Sequence, residues 1–280
     1  MPKKSTKSIK AIKPISLTVV ESAVRPVNSK IILSGDLIKK TWSVYRDNWQ
    51  KFVTLLIIPL IISAVLTMCM YLGRIFAADF NPALAVGWAL LFFILFIANG
   101  ILVLLAYIAQ VLFVSDLKQP ISFNNLADWY GKSWPYFGPA ILVTIVFFAV
   151  SFFGLLVMII PGIAIMVYYC FTIYELIVGG HGIEEAFGES RKLVCGRWWA
   201  VFGRLVLGCL LIWLAYIIVT VILALGAWLL NYFSPLKFNR ELGSLLYNIF
   251  GIYIGLVVGP LSLIYVYNLY QSLLEIKSGK

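Results

Sequence analysis

A single histidine and a few nearby carboxylates are the residues of this chain best suited to chemistry. His181 lies in a glycine-rich segment, after Glu175 and before the pair Glu184 and Glu185. An imidazole beside a carboxylate can act as a general base. The segment Gly-Gly-His-Gly lacks the strand and helix that a phosphate-binding loop needs. We therefore predict no catalytic residues, and an enzyme acting on lipid headgroups through His181, Glu175 and Glu184 remains an alternative.

The cysteines do not form a metal-binding pattern. None is spaced as Cys-x-x-Cys, and three lie in or against apolar runs; the positions are Cys69, Cys170, Cys195 and Cys209. With one histidine in the chain, these thiols cannot complete a zinc site. We predict no metal site and no cofactor, and we interpret the cysteines as small buried thiols.

The composition requires a membrane as solvent. The 280 residues are 62% hydrophobic and 12% charged, whereas soluble domains carry about a quarter charged residues. Six apolar runs are candidates for transmembrane helices, and they cover residues 52–73, 84–114, 137–160, 163–178, 200–230 and 244–274. In the 137–178 region, Pro161 and Gly162 predict a tight reversal. The limb that follows is short, so both a full crossing and a re-entrant hairpin stay open.

Three polar segments precede the first, third and fifth apolar runs. Residues 34–50, 121–136 and 179–198 predict amphipathic helices that lie at the membrane interface. A Trp-x-x-Phe pair ends each segment, where indole rings prefer to sit; the pairs are Trp49 and Phe52, Trp134 and Phe137, and Trp199 and Phe202.

The predicted fold is an all-α polytopic membrane protein with six transmembrane helices in three hairpins, each preceded by an amphipathic interfacial helix. The membrane domain covers residues 34–276, with repeat units of about 34–114, 121–178 and 183–274. In the last helix, Gly251, Gly255 and Gly259 share one face and predict close helix packing.

Basic residues are concentrated on one side of the predicted topology. Eleven of the 22 Lys and Arg residues fall in the first 51 positions, and 18 fall on the side that holds both termini. The positive-inside rule therefore predicts an inner-membrane protein with both termini cytoplasmic. Residues 1–33 are expected to form a basic, flexible cytoplasmic tail, which is either solvated or held near anionic headgroups, and 277–280 a short second tail. No pattern typical of nucleic-acid binding accompanies the charge.

Part of the sequence resembles a known bacterial family. The segment Glu-x-Ala-Phe-Gly-Glu-Ser-Arg-Lys-Leu-Val-Cys-Gly-Arg-Trp-Trp-x-Val-Phe, with the earlier Pro-Gly-Ile-Ala-Ile-Met-Val-Tyr-Tyr, is similar to the glycerophosphoryl diester phosphodiesterase membrane domain and its YciC-like relatives. The similarity rests on Pro161, Gly162, Ala186, Ser190, Gly196, Trp198 and Trp199. It implies the membrane topology. Because the 280 residues leave no room for the soluble barrel of some members, it does not imply phosphodiesterase activity.

Two classes of function fit these features. We expect a non-catalytic integral membrane protein that organises lipid or the envelope, or that serves as the membrane partner of another protein. The alternative is a transporter or permease for an apolar or amphipathic solute, with Asn99, Asn248 and Asn268 as polar lining. The bilayer is the expected partner, and a protein partner or homo-oligomer stays open.

Overall fold

The computed structural model describes residues 31–76, 82–119, 121–233 and 240–278. Within these ranges the regular structure is helical throughout. The helices are α1 (Ser34–Phe76), α2 (Pro82–Ser115), a 3-10 turn (Phe123–Asn125), α3 (Leu126–Val157), α4 (Ile159–Tyr169), α5 (Thr172–Ile177), α6 (Ile183–Val194), α7 (Trp198–Phe233) and α8 (Arg240–Ser278).

Five stretches of the described residues are long and apolar enough to cross a membrane, which indicates a membrane protein. They are Ser34–Gly73, Ala85–Ser115, Leu126–Val157, Ile159–Ile177 and Trp198–Gly226. The sixth predicted span, 244–274, falls within α8. Most side chains between residues 240 and 257 of that helix lie outside the described part of the chain, so the predicted count of six stays a prediction.

Two of the three predicted interfacial segments are not separate helices. Residues 34–50 are the first turns of α1, and the second segment continues into α3 from Leu126 onward. The change from polar to apolar side chains does not itself interrupt the backbone hydrogen bonds of a helix. Only the third segment forms its own helix, α6, which ends before Gly196. That glycine has φ of 78°, a left-handed conformation that commonly terminates helices.

The predicted reversal at Pro161 and Gly162 is wrong by three residues. The chain turns at Met158, which is extended with φ of −160° and ψ of 141°. Pro161 lies in the first turn of α4, where its missing N–H has no helical acceptor to lose. Gly162 lets α4 pack on α3, because a Cβ built there would lie 2.6 Å from the backbone nitrogen of Leu155.

The packed core lies at one end of the molecule, which we call the polar end. This end contains the starts of α1, α3 and α7, the ends of α2 and α8, and all of α5 and α6. Contacts between these elements define it: the Lys51 ammonium faces the Leu117 carbonyl at 3.5 Å, and Arg204 donates to the Ile32 carbonyl at 3.0 Å.

Aromatic rings join the elements of the polar end. The Phe52 ring packs edge-on against Phe113 with centroids 5.2 Å apart, and Phe113 packs edge-on against Trp129 at 6.1 Å. These contacts connect α1, α2 and α3. Tyr174 of α5 stacks with Tyr270 of α8 at 5.6 Å. Buried aromatic groups therefore fix the positions of the polar segments around them.

The opposite part of the molecule is packed loosely. We call it the distal half; it comprises residues 61–76, 82–104, 145–165 and 206–233. Most of its described side chains are exposed, as Phe93 (59%), Phe148 (65%) and Trp213 (70%) illustrate. Apolar helix faces exposed over this length are expected where lipid chains, rather than water, surround them.

The three glycines that were predicted to pack α8 closely have no described atom near them. A Cβ built at Gly251, Gly255 or Gly259 would meet no atom within 4 Å. Close packing at this face thus stays a prediction, with no partner among the described residues. Helix α8 instead contacts α7 where the ring of Tyr265 lies directly against Gly208.

Candidate functional site at the polar end

The charged residues whose side chains the structure describes are segregated to the polar end. Every Lys, Arg, Asp and Glu whose side chain is described lies there, and most of the basic ones are exposed. The basic members are Lys39, Lys40, Arg46, Lys51, Lys118, Lys132, Arg191, Lys192, Arg197, Arg204 and Lys277. Residues 1–30, which precede α1 in the sequence, contain seven basic residues and one acidic residue. The described part of this end carries 11 basic and 9 acidic side chains, and we call its exposed basic groups, which lie next to the apolar helices, the basic surface.

The three tryptophans predicted as membrane anchors project from the protein. Trp49, Trp134 and Trp199 are 48%, 61% and 78% exposed. In the second pair the Trp134 and Phe137 rings stack with centroids 5.5 Å apart. Exposed indoles next to charged turns are typical of residues that lie at the headgroup level.

The phenylalanines of the three pairs do not behave alike. Phe137 and Phe202 are half-buried beside their tryptophans, and the Trp199 and Phe202 rings meet edge-on at 6.2 Å. Phe52 is completely buried in the core. Its side chain holds α1 against α2 and does not face lipid.

His181 and Glu175 do come together, but in a closed arrangement. The Nε2 atom of His181 lies 3.4 Å from the Glu175 carboxylate, and Nδ1 lies 3.9 Å from the Glu185 carboxylate. Glu175 is buried, and the Tyr270 hydroxyl interacts with its carboxylate. Both ring nitrogens therefore face carboxylates, at hydrogen-bond distance for Nε2 only. Glu184 is exposed, and Glu185 rather than Glu184 faces the imidazole.

Backbone geometry explains why this loop needs glycine. A Cβ built on Gly179 would lie 2.6 Å from the Glu175 carboxylate, and Gly180 has a φ of 69°. The His181 N–H then donates to the Glu175 carbonyl at 3.2 Å. The loop between α5 and α6 is thus held tightly around Glu175. Among the described residues, no group of three or more His, Cys, Asp or Glu is placed to hold a metal ion.

Glu189 connects α6 to the end of α8. Its carboxylate accepts hydrogen bonds from Lys192 at 2.7 Å and from Lys277 at 2.6 Å. The two ammonium groups, Lys192 first, lower the pKa of Glu189 to about 2. The sequence did not predict the contact between Glu189 and Lys277, because Lys277 lies 88 positions away in the predicted C-terminal tail.

Arg204 binds backbone carbonyls where the chain enters α1. Its guanidinium donates to the carbonyls of Ile32 at 3.0 Å, Ile31 at 3.2 Å and Ala200 at 2.8 Å. The Tyr265 hydroxyl donates to the Arg204 carbonyl at 2.7 Å. These bonds place the first described residues, Ile31 and Ile32, against α7.

The asparagines proposed as polar lining make contacts between helices. The Asn99 amide donates to the Ser63 hydroxyl at 3.0 Å, and the buried Asn268 amide donates to the Thr41 hydroxyl at 3.3 Å. Both bonds attach a helix to α1. The side chain of Asn248 lies outside the described residues. Hydrogen bonding between helices is the usual role of such amides in a membrane.

Comparison with known proteins adds no relative. Family models, curated proteins and solved structures were each searched, and none of the three comparisons gives a match.

Proposed function

We propose that this protein is a non-catalytic, multi-pass protein of the cell inner membrane that takes part in lipid or envelope organisation through its polar end. The observation that carries this proposal is the segregation of the described charges to one end, next to long helices whose apolar side chains are exposed. In this role the basic surface binds anionic headgroups. Each Lys or Arg near the membrane surface contributes about 1 kcal/mol of binding free energy.

The topology that accompanies this proposal has six spans in three hairpins, with both termini cytoplasmic. The described chain begins near Arg204 and ends near Glu189, both at the polar end. A chain that begins and ends on one side crosses an even number of times, and α8 supplies the crossing beyond the five candidate stretches. The polar end also carries the basic residues that favour the cytoplasm.

Two observations favour this role over the alternatives. The amide nitrogens of Asn99 and Asn268 donate to Ser63 and Thr41, which favours a role in contacts between helices over the lining of a transport path. Both nitrogens of His181 face carboxylates, which disfavours it as a general base.

Retention of anionic lipid tests the proposal. The full-length protein is reconstituted in vesicles of phosphatidylglycerol and phosphatidylcholine, extracted in mild detergent, and its bound lipids are counted by mass spectrometry. We expect phosphatidylglycerol to be enriched. A length-matched variant replaces the seven Lys and Arg residues of 1–30 by Gln. Its enrichment of phosphatidylglycerol should be at least about fivefold lower than that of the wild type, because 1 kcal/mol changes a binding constant by that factor.

High salt provides a second comparison, because it screens exposed charges. Retained lipid that mirrors the vesicle composition, in both the wild type and the variant, would contradict the proposal.

A further inference from the structure

A cleft at the polar end combines charged, amide and apolar walls. It lies between the end of α2 and the start of α3, with a volume of about 320 Å³. Its walls include Leu112, Asp116, Gln119, Trp129, Lys132 and Tyr136. This volume is at the lower limit of small-molecule sites. The cleft therefore has room for a headgroup but not for acyl chains.

The polar wall is a row of three groups with opposite charges at its ends. The Gln119 amide nitrogen donates to the Asp116 carboxylate at 2.8 Å, and the Lys132 ammonium donates to the Gln119 amide oxygen at 3.3 Å. An ammonium has three donors and a carboxylate about four acceptor sites. Asp116 and Lys132 thus keep capacity for a ligand that carries both charges.

The indole face of Trp129, which forms the floor of the cleft, is covered by Lys132. The Lys132 ammonium lies 4.8 Å from the centroid of the Trp129 ring. Trp129 is 3% exposed and packs edge-on against Phe113. Because Lys132 covers the indole face, a ligand cation cannot bind by stacking on it and must bind to Asp116 instead.

The wall is held in place by the protein alone. The Lys51 ammonium faces the Leu117 carbonyl at 3.5 Å and lies 5.3 Å from the Phe113 centroid. The N–H of Asp116 donates to the Phe113 carbonyl at 3.1 Å. A ligand would therefore find the site formed, with little ordering cost.

The depth of the cleft matches the lipid headgroup layer. Lys132 and Tyr136 are four residues apart on α3, so they share a face and are separated by about one turn along the helix. The exposed Trp134 lies between them in sequence. The cleft thus runs from a charged rim at Lys132 to an apolar wall at Leu112 and Tyr136.

We propose that this cleft binds the headgroup of phosphatidylethanolamine. The primary ammonium of the headgroup donates to Asp116, its phosphate accepts from Lys132, and the glycerol and chains leave past Tyr136. A headgroup with phosphate and no ammonium would bring its negative charge toward Asp116 unbalanced. Phosphatidylcholine has no N–H for Asp116, and Trp129 offers its quaternary ammonium no open face.

This inference deepens the proposed role in lipid organisation, but it rests on different residues from those that attract anionic lipid. The described residues that line the cleft all lie between Leu112 and Tyr136, outside the basic residues 1–30. Removing their charge should therefore leave ethanolamine binding intact, and the failure of one proposal can be told from the failure of the other.

Thermal stabilisation by short-chain lipids tests the assignment. The purified full-length protein is titrated in detergent with dihexanoyl phosphatidylethanolamine, phosphatidylcholine or phosphatidylglycerol. We expect half-maximal stabilisation by the ethanolamine lipid at a concentration about tenfold lower than by the choline lipid, since a hydrogen bond to a charged group typically supplies that factor.

Matched variants identify the groups responsible. Asp116→Asn should abolish the preference for ethanolamine over choline, and Lys132→Gln should weaken both by about tenfold. Asp128→Asn is the control, because Asp128 is an exposed carboxylate in the first turn of α3 and does not line the cleft; it should leave the preference for ethanolamine over choline unchanged.

Several results would overturn the proposal. Equal affinity of the wild type for the ethanolamine and choline lipids would overturn it. This comparison needs no variant, so the proposal can be tested even if a variant fails to fold. A preference that survives Asp116→Asn would also overturn it. Free phosphoethanolamine that saturates the shift at the same concentration as the lipid would exclude a lipid site in favour of a soluble ligand.

Discussion

Glu189 forms an ion pair that connects α6 to α8. Among the described ion pairs, no other joins these two helices. Lys192 and Lys277 both hold its carboxylate, and its pKa falls from the ordinary value near 4.5 to about 2. A carboxyl with a lowered pKa stabilises the folded state above its unfolded pKa. That stabilisation disappears as the pH falls from about 4.5 toward 2.

Glu189→Gln should therefore lower the melting temperature at neutral pH by about 1–3 °C, since partly solvated pairs contribute little. The difference between variant and wild type should shrink as the pH falls through this window. Melting curves in detergent between pH 7 and 3 measure it. Glu184→Gln is the control, because its exposed carboxylate has no described lysine partner. A difference that does not change with pH would contradict the assigned role of the two lysines.

Some residue roles follow from sequence and others do not. An asparagine in an apolar run predicts a hydrogen bond between helices, as Asn99 makes to Ser63. The exposed positions of Trp49 and Trp134 also agree with the Trp-x-x-Phe pattern. The partners of Arg204 are backbone carbonyls 172 and 173 positions away. A carbonyl has no side chain to mark it, so no sequence pattern could have predicted that contact.

Helix length explains why the predicted interfacial segments merge with their spans. The 43 residues of α1 extend about 64 Å at 1.5 Å per residue. That exceeds the thickness of a whole bilayer, about 40–45 Å. The charged first turns of α1 therefore extend beyond the membrane or tilt against it. Composition predicts where the polar surface begins, but only a terminating residue such as Gly196 predicts where a helix ends.

The packing of α4 on α3 gives a prediction for one glycine. At Gly162 a built Cβ would contact the backbone of Leu155, which cannot move aside as a side chain could. Gly162→Ala should destabilise the protein by about 1–3 kcal/mol, the usual cost of overpacking. Gly138→Ala in α3 is the matched control, since a Cβ there would meet nothing within 4 Å.

Alanine at Gly138 should be neutral or slightly stabilising, because alanine is the better helix former. Melting temperatures of the two variants in the same detergent make the comparison. If both substitutions shift the melting temperature alike, the close approach of α3 and α4 at Gly162 is not the reason for that glycine.

The whole molecule is asymmetric in its packing as well as its charge. Side chains in the polar end are buried by one another, whereas long stretches of α2, α3 and α7 in the distal half expose apolar groups. In a bilayer, lipid chains solvate such groups as well as another helix would, so little drives these helices together. In water, the polar end needs its own buried core. The position of the core therefore places the polar end at the membrane surface, and the distribution of lysine and arginine predicts which surface that is.

Cys195 provides a direct measurement of that orientation. It is exposed in the polar end, between α6 and α7, whereas Cys69, Cys170 and Cys209 lie in apolar stretches that can cross the membrane. A thiol reacts with a membrane-impermeant maleimide only when it is exposed to water and ionised to the thiolate. We expect inside-out vesicles to be labelled and intact cells not to be, because the proposed topology places the polar end in the cytoplasm. Cys195→Ser should abolish the labelling. Labelling of intact cells that Cys195→Ser removes would instead place the polar end outside and overturn the assigned topology.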